Sequence, residues 1–196
     1  MNLKKILMKS MNLTGNSIKT SDFDFSFGWN YNSLNRGYFP TKGVKASLGG
    51  RVTIPGSDNK YYKLSAELQG FYPLDRDHRW VLSGKATASY ANGLGGKRVP
   101  FYQLYTAGGI GSLRGFAYGA VGPNAIYQDK YGQWYQSTDV VGGNAMATAS
   151  VELIVPTPFV GDKSQNSVRT SLFVDAASVW NTKWKSDRKG LPSSVT

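Results

Sequence analysis

Six stretches of the chain alternate apolar and polar residues with a period of two, the repeat of an extended strand whose successive side chains point to opposite faces. Over 22–31 one face carries Phe23, Phe25, Phe27, Trp29 and Tyr31, and the other Asp22, Asp24, Ser26, Gly28 and Asn30. Taken every second residue, the other apolar faces run from Val44 to Ile54, Tyr62 to Tyr72, Trp80 to Tyr90, Ala145 to Val155 and Val168 to Ala176. The pattern predicts strands over 22–31, 44–54, 61–74, 79–90, 144–155 and 167–180, and no segment of helical period competes with them. The expected fold is all-β.

The charges sort by face. Asp22, Asp24, Lys45, Arg51, Lys63, Glu67, Lys85, Glu152, Arg169 and Asp175 all lie opposite the apolar positions. Alternation alone leaves open which face is inside, because a soluble ligand-binding barrel shows the same pattern inverted. Two features favour a membrane barrel. The strands run to ten or more residues, against a usual mode of about 5–6 in soluble proteins. Aromatics also bracket the apolar faces, Tyr62 with Tyr72 and Trp80 with Tyr90, as interface residues would. Ten residues at about 3.3 Å each, tilted by about 40°, rise roughly 25 Å, the height of an outer-membrane apolar band. The expectation is an antiparallel transmembrane β-barrel segment with its apolar faces toward lipid.

The connections alternate in character too. Asn32–Gly43, Asp75–His78 and Pro156–Asn166 would share one rim, with Pro55–Lys60, the stretch 91–143 and the tail 181–196 at the other. The stretch 91–143 far exceeds an ordinary loop and is rich in Gly, Tyr and Phe, so it is expected to fold inward and pack. Six strands do not close a membrane barrel, the smallest of which have about eight, and open edges are unfavourable in lipid. The chain therefore reads as about six strands of a larger barrel. Residues 1–20 read as a poorly ordered extension, and 21–196 as a partial barrel domain ending in a truncated loop.

Composition narrows the chemistry. With no Cys and a single His, His78, thiolate nucleophiles, zinc knuckles, iron–sulfur clusters and His-based metal sites are out. No cofactor, metal site or enzymatic activity is expected. The net charge of +11 does not point to nucleic acid, since the basic residues are split between one strand face and the loops, with no stacking platform. No apolar run approaches a spanning helix. The basic start Met1–Met8 stops at Lys9 before completing a signal peptide.

The run Gly108–Phe116 is glycine-rich, but its G-x-G-x-x-x-G spacing and the absence of a following helix pattern exclude a nucleotide cradle. Arg114 within it has two readings. It is either a solvated loop residue or an arginine folded into a polar interior, where a guanidinium fork can bind carboxylates bidentately. Glu152 and Asp175, on the polar faces of the next two strands, are the candidate partners, because a carboxylate at membrane depth needs one.

LYTAGGIGSLRGF (104–116), GGNAMATASVELIVPTPF (142–159) and SVRTSLFVDAASVW (167–180) closely resemble the bacterial surface antigen family, the outer-membrane barrel assembly factors. RGYFPTKG (36–43), VTIPGSDNKYYK (52–63) and NGLGGKRVPFY (92–102) fit the same family. The resemblance implies roughly the eighth to thirteenth strands of a barrel of about sixteen, preceded in the parent by periplasmic POTRA domains. It also implies that the arginine of the sixth extracellular loop enters the lumen and pairs with two strand carboxylates. Carried over, these are Arg114, Glu152 and Asp175, with Gly115 and Phe116 completing the loop tip. The family's F-x-D-x-G reads Phe173–Ala177 here, with Ala177 in place of the Gly.

The implied function is folding and inserting other barrels into the outer membrane. The implied partners are outer-membrane lipids, unfolded β-barrel clients and, through the periplasmic domains, accessory lipoproteins. A fragment without the family's first and last strands, which form the gate for clients, is expected to be inactive by itself. His78 reads as a solvated turn residue, and Lys97, Arg98 and Lys130 as solvated or facing anionic headgroups. Two alternatives stand: a secretion transporter of the same superfamily, and a soluble barrel binding a hydrophobic ligand.

Overall fold

The computed structural model describes residues 20–128, 130–157 and 168–182. The six predicted strands form one antiparallel sheet: β1 (Asp24–Asn32), β2 (Gly43–Thr53), β3 (Tyr61–Pro73), β4 (Val81–Gly93), β7 (Ala145–Val155) and β8 (Thr170–Trp180). Their order in the sheet is β1-β2-β3-β4-β7-β8, so each strand pairs with its sequence neighbour except where the long connection intervenes. That connection is not wholly loop. It carries a second, two-stranded sheet of β5 (Asn124–Gln128) and β6 (Trp134–Val140). The hairpin was not expected, because its strands are short and Ser137 and Asp139 share one face with Tyr135, which blurs the period-two signal. Strand β4 also continues to Gly93, three residues into the stretch taken as loop. The extension 1–19 and most of the tail, 183–196, lie outside the described residues.

Register keeps the two faces separate across the whole sheet. Leu68 stands opposite Ala46 and Ala86, and Leu82 opposite Tyr72 and Leu153, while Ser150 stands opposite Lys85 and Asp175. A one-residue slip would move every side chain to the other face. Some large residues lie against small ones on the apolar side, as Leu68 does against its two alanines. The Phe27 ring covers its cross-strand partner Gly50 so closely that a Cβ there would overlap it. On the polar side Arg51 pairs with Asp24 at 3.0 Å and Lys85 with Glu67 at 3.3 Å.

Burial is inverted relative to a soluble sheet. Phe23, Phe25, Phe27, Trp29, Leu48, Leu68, Tyr72 and Leu172 are exposed, whereas Tyr61, Val81, Ala91, Ile154 and Val179 are buried on the polar side; Ala145, at the loop end of β7, is buried on the apolar side. The long connection explains this, because it packs on the polar face. Its base is held by backbone pairs between Tyr105 and Gly143 and between Ala107 and Val121, and Leu113 is buried near its tip. The face covered by protein is thus the polar one, and the apolar face is left outward. An outward apolar face suits lipid, and it opposes a soluble barrel that would enclose its apolar side. No helix among the described residues is long and apolar enough to cross a membrane.

Candidate functional site

The tip of the long connection is built by short-range hydrogen bonds. The Leu113 N–H donates to the Gly109 carbonyl at 3.0 Å, and the Gly109 N–H to the Phe116 carbonyl at 3.0 Å. The Ser112 hydroxyl accepts from the Gly108 N–H at 2.9 Å and donates to the Gly108 carbonyl at 3.1 Å. Gly115 turns the chain at φ +86°, a left-handed conformation that a side-chain-bearing residue adopts only with strain. This turn aims Arg114 at the strand wall.

Arg114 meets three residues on two adjacent strands. Its Nε donates to Asp175 Oδ2 at 2.8 Å and one terminal nitrogen, Nη2, to Asp175 Oδ1 at 2.7 Å, the two-pronged fork geometry. The backbone N–H of Arg114 adds a third bond to Asp175 Oδ2 at 3.0 Å. The other terminal nitrogen, Nη1, reaches Glu152 Oε2 at 3.2 Å, and Nη2 also donates to the Ser150 hydroxyl at 2.9 Å. Ser150 in turn donates to Asp175 Oδ1 at 2.7 Å. The Phe173 ring closes one side, with its centroid 3.5 Å from the guanidinium carbon.

The pair with Asp175 is the stronger member. The Asp175 side chain is 5% exposed, against 25% for Arg114 and 26% for Glu152, so water screens the Glu152 contact more. One arginine between two carboxylates leaves the cluster one negative charge in excess. That excess is tolerable because Glu152 remains partly wet. Among the described residues no group of three or more His, Cys, Asp or Glu could hold a metal ion. What the geometry can do is mechanical: it ties a loop to two strands.

Of the residues singled out from sequence, the structure brings Arg114, Glu152 and Asp175 together, with Gly115 turning the chain beside them. The Phe116 ring is exposed and stands outside the cluster; its contribution is the carbonyl bond to Gly109. Ser150 and Phe173 were missed. Both lie two residues from a predicted carboxylate on the same strand face, so period two alone places them there. Tyr62 and Tyr90 lie near one end of the sheet with centroids 6.2 Å apart, and Tyr72 and Trp80 lie exposed at the other. His78 is not a freely solvated turn residue. It is half-buried and shares a 2.9 Å hydrogen bond, through Nδ1, with the Thr41 hydroxyl.

A second attachment of the loop was also missed. Lys63, on the polar face of β3, donates to the Gln103 carbonyl at 3.0 Å and its side-chain oxygen at 3.3 Å, and lies 4.5 Å from the Tyr105 ring centroid. Burial there pushes the Tyr105 phenol pKa above its ordinary value. At the same rim, Asn59 donates to both Asp22 oxygens, at 3.1 and 2.8 Å, and to the Tyr102 hydroxyl at 3.0 Å.

A model of the Omp85 superfamily domain matches residues 5–194. The chain is similar to outer membrane protein assembly factor BamA of Neisseria meningitidis serogroup B, at 35% identity over 175 residues. That match covers 89% of this chain and 21% of the Neisseria protein. It is also similar to the crystal structure of BamA from Haemophilus ducreyi lacking POTRA domains 1–3, at 54% identity and a TM-score of 0.88. There the match covers 97% of this chain and 38% of the other. The chain thus spans well under half the length of either relative.

Proposed function

The chain belongs to the Omp85 superfamily, and from that premise we propose that it is a sector of an outer-membrane barrel that folds other β-barrel proteins and inserts them into that membrane. The Neisseria relative is named outer membrane protein assembly factor BamA, and the Haemophilus structure is also of a BamA, which favours this reading over a secretion transporter. The partners are unfolded barrel clients, the lipids of the outer membrane and accessory lipoproteins of the assembly machinery. No bond is made or broken, and no cofactor is used. Client strands would be added edge to edge, because an open strand edge offers unpaired N–H and C=O groups as a template.

The observation that carries the reading is the Arg114 latch, with five hydrogen bonds from one loop residue to Ser150, Glu152 and Asp175. It locks the long loop in the lumen and braces β7 against β8, so that the barrel holds its shape while another part of its wall opens. Tyr62, Tyr72, Trp80 and Tyr90 would set the depth of the barrel in the bilayer. The test is reconstitution of the full-length protein in lipid vesicles with an unfolded barrel client. The wild type should speed client insertion over empty vesicles, and Arg114→Ala should lower both that rate and the protein's resistance to unfolding by heat in electrophoresis. Insertion no faster than in empty vesicles would sink the assembly reading. Full activity and heat resistance in Arg114→Ala would sink the latch.

A further inference from the structure

At the rim opposite the long loop, the turn between β2 and β1, the turn between β3 and β4, and the facing ends of β7 and β8 enclose a cavity of about 350 Å3. Among the described residues its lining holds Arg36, Arg79 and Arg169 and the acid Asp77. The cavity is built rather than incidental. Phe39 at φ +47° and His78 at φ +56° are the two non-glycine residues with positive φ among the described residues, and both line it. Such conformations are unfavourable and persist where the surroundings enforce them, often at binding sites.

The enforcing contacts are explicit. Asn35 accepts from the Thr41 and Lys42 N–H groups, each at 3.1 Å, and donates to the Thr41 hydroxyl at 2.9 Å. Thr41 in turn holds His78. Arg169 donates to the Pro40 carbonyl at 2.6 Å and lies over the Phe39 and Phe71 rings at 5.1 and 5.8 Å. Arg169 interacts through space with the Glu152 carboxylate and, unfavourably, with the Arg36 guanidinium. One lip of the cavity is apolar, formed by Val155 at the end of β7 and Val168 just before β8.

We propose that this cavity binds a phosphate group, with the guanidinium groups of Arg36, Arg79 and Arg169 as its ligands. Cationic forks suit phosphate oxygens. The apolar lip next to the outward face suits a phosphate carried on a lipid headgroup, whose acyl chains would run along Val155 and Val168; the other source is free phosphate. The site uses residues outside the Arg114 cluster, so it stands or falls independently of the latch.

The experiment uses the full-length protein folded in detergent micelles and follows its melting temperature against three titrants: dihexanoyl phosphatidylglycerol, inorganic phosphate and dihexanoyl phosphatidylcholine. A saturable rise with phosphatidylglycerol is expected, with an apparent Kd about tenfold weaker in Arg36→Gln and in Arg79→Gln, the loss expected from one charge-assisted bond. Each variant is read against its own unliganded melting point, so a change in basal stability does not obscure the result. A rise of equal size with inorganic phosphate supports the site and identifies free phosphate as the source. No saturable rise with either anion, or one that phosphatidylcholine matches and the variants leave unchanged, overturns the proposal.

Discussion

Two arginines on the sheet's polar face, Arg114 at the loop tip and Arg169 at the turn rim, show how the same side chain does different work. Arg114 is neutralised, with Asp175 gripping it from two sides and Glu152 and Ser150 filling its remaining directions. Arg169 is held by a backbone carbonyl and two aromatic faces, and its interaction with Glu152 is through space. The first arrangement ties two parts of the chain together. The second positions a charge without cancelling it. Partner chemistry therefore separates a latch from a candidate binding site better than residue type does.

The comparison predicts unequal costs. Arg114→Ala strands Asp175, whose side chain is nearly buried, without its counter-ion. The expected loss is about 2–3 kcal/mol, toward the low side for a broken buried pair because the guanidinium keeps some water. Arg169→Gln gives up cation–π contact and one hydrogen bond to a carbonyl, about 1 kcal/mol. Urea unfolding of both variants in the same micelles measures the pair. Equal losses would break the distinction between latch and positioned charge.

Within the latch the two carboxylates should separate in the same way. Asp175 accepts from three nitrogen positions of Arg114 and from Ser150, whereas Glu152 accepts one bond at 3.2 Å. Asp175→Asn should cost about 2 kcal/mol and Glu152→Gln less than about 1 kcal/mol, since the latter contact is screened. Protease cleavage of the 108–116 tip gives a second readout that follows the loop itself. A larger effect from Glu152→Gln would reverse the assignment of the stronger partner.

The strand wall was legible because a two-faced sheet writes its burial directly into the sequence: Phe23 to Tyr31 alternate with Asp22 to Asn30 without a break. Arg114, Glu152 and Asp175 were legible through both face parity and family resemblance. The Lys63 attachment was not, because nothing local joins it to Gln103, forty residues away. Nor was the turn-rim cavity, which depends on left-handed Phe39 and His78. Those conformations are imposed by tertiary contacts such as Thr41 with His78, and neither Phe39 nor His78 has the Gly or Asn identity that most directly announces positive φ.

The smallest expected effect concerns the same rim and has a sign that can be worked out. Asp75 accepts from the Trp80 N–H at 2.8 Å and the Arg79 N–H at 3.2 Å, closing the turn between β3 and β4. The Trp80 bond above all holds its carboxyl below the ordinary value of 3.8. A carboxyl depressed in the folded state binds protons more readily when unfolded, so its contribution is complete above its unfolded value. That contribution is lost as the pH falls through the folded value. Asp75→Asn keeps an acceptor oxygen but cannot titrate. Its unfolding midpoint at neutral pH should lie slightly below wild type, and the difference between the two proteins should shrink only below about pH 4. A difference that instead grows on acidification would mean that the turn is held by something other than this carboxylate, and that His78 and Arg79 are placed by the cavity's own contacts.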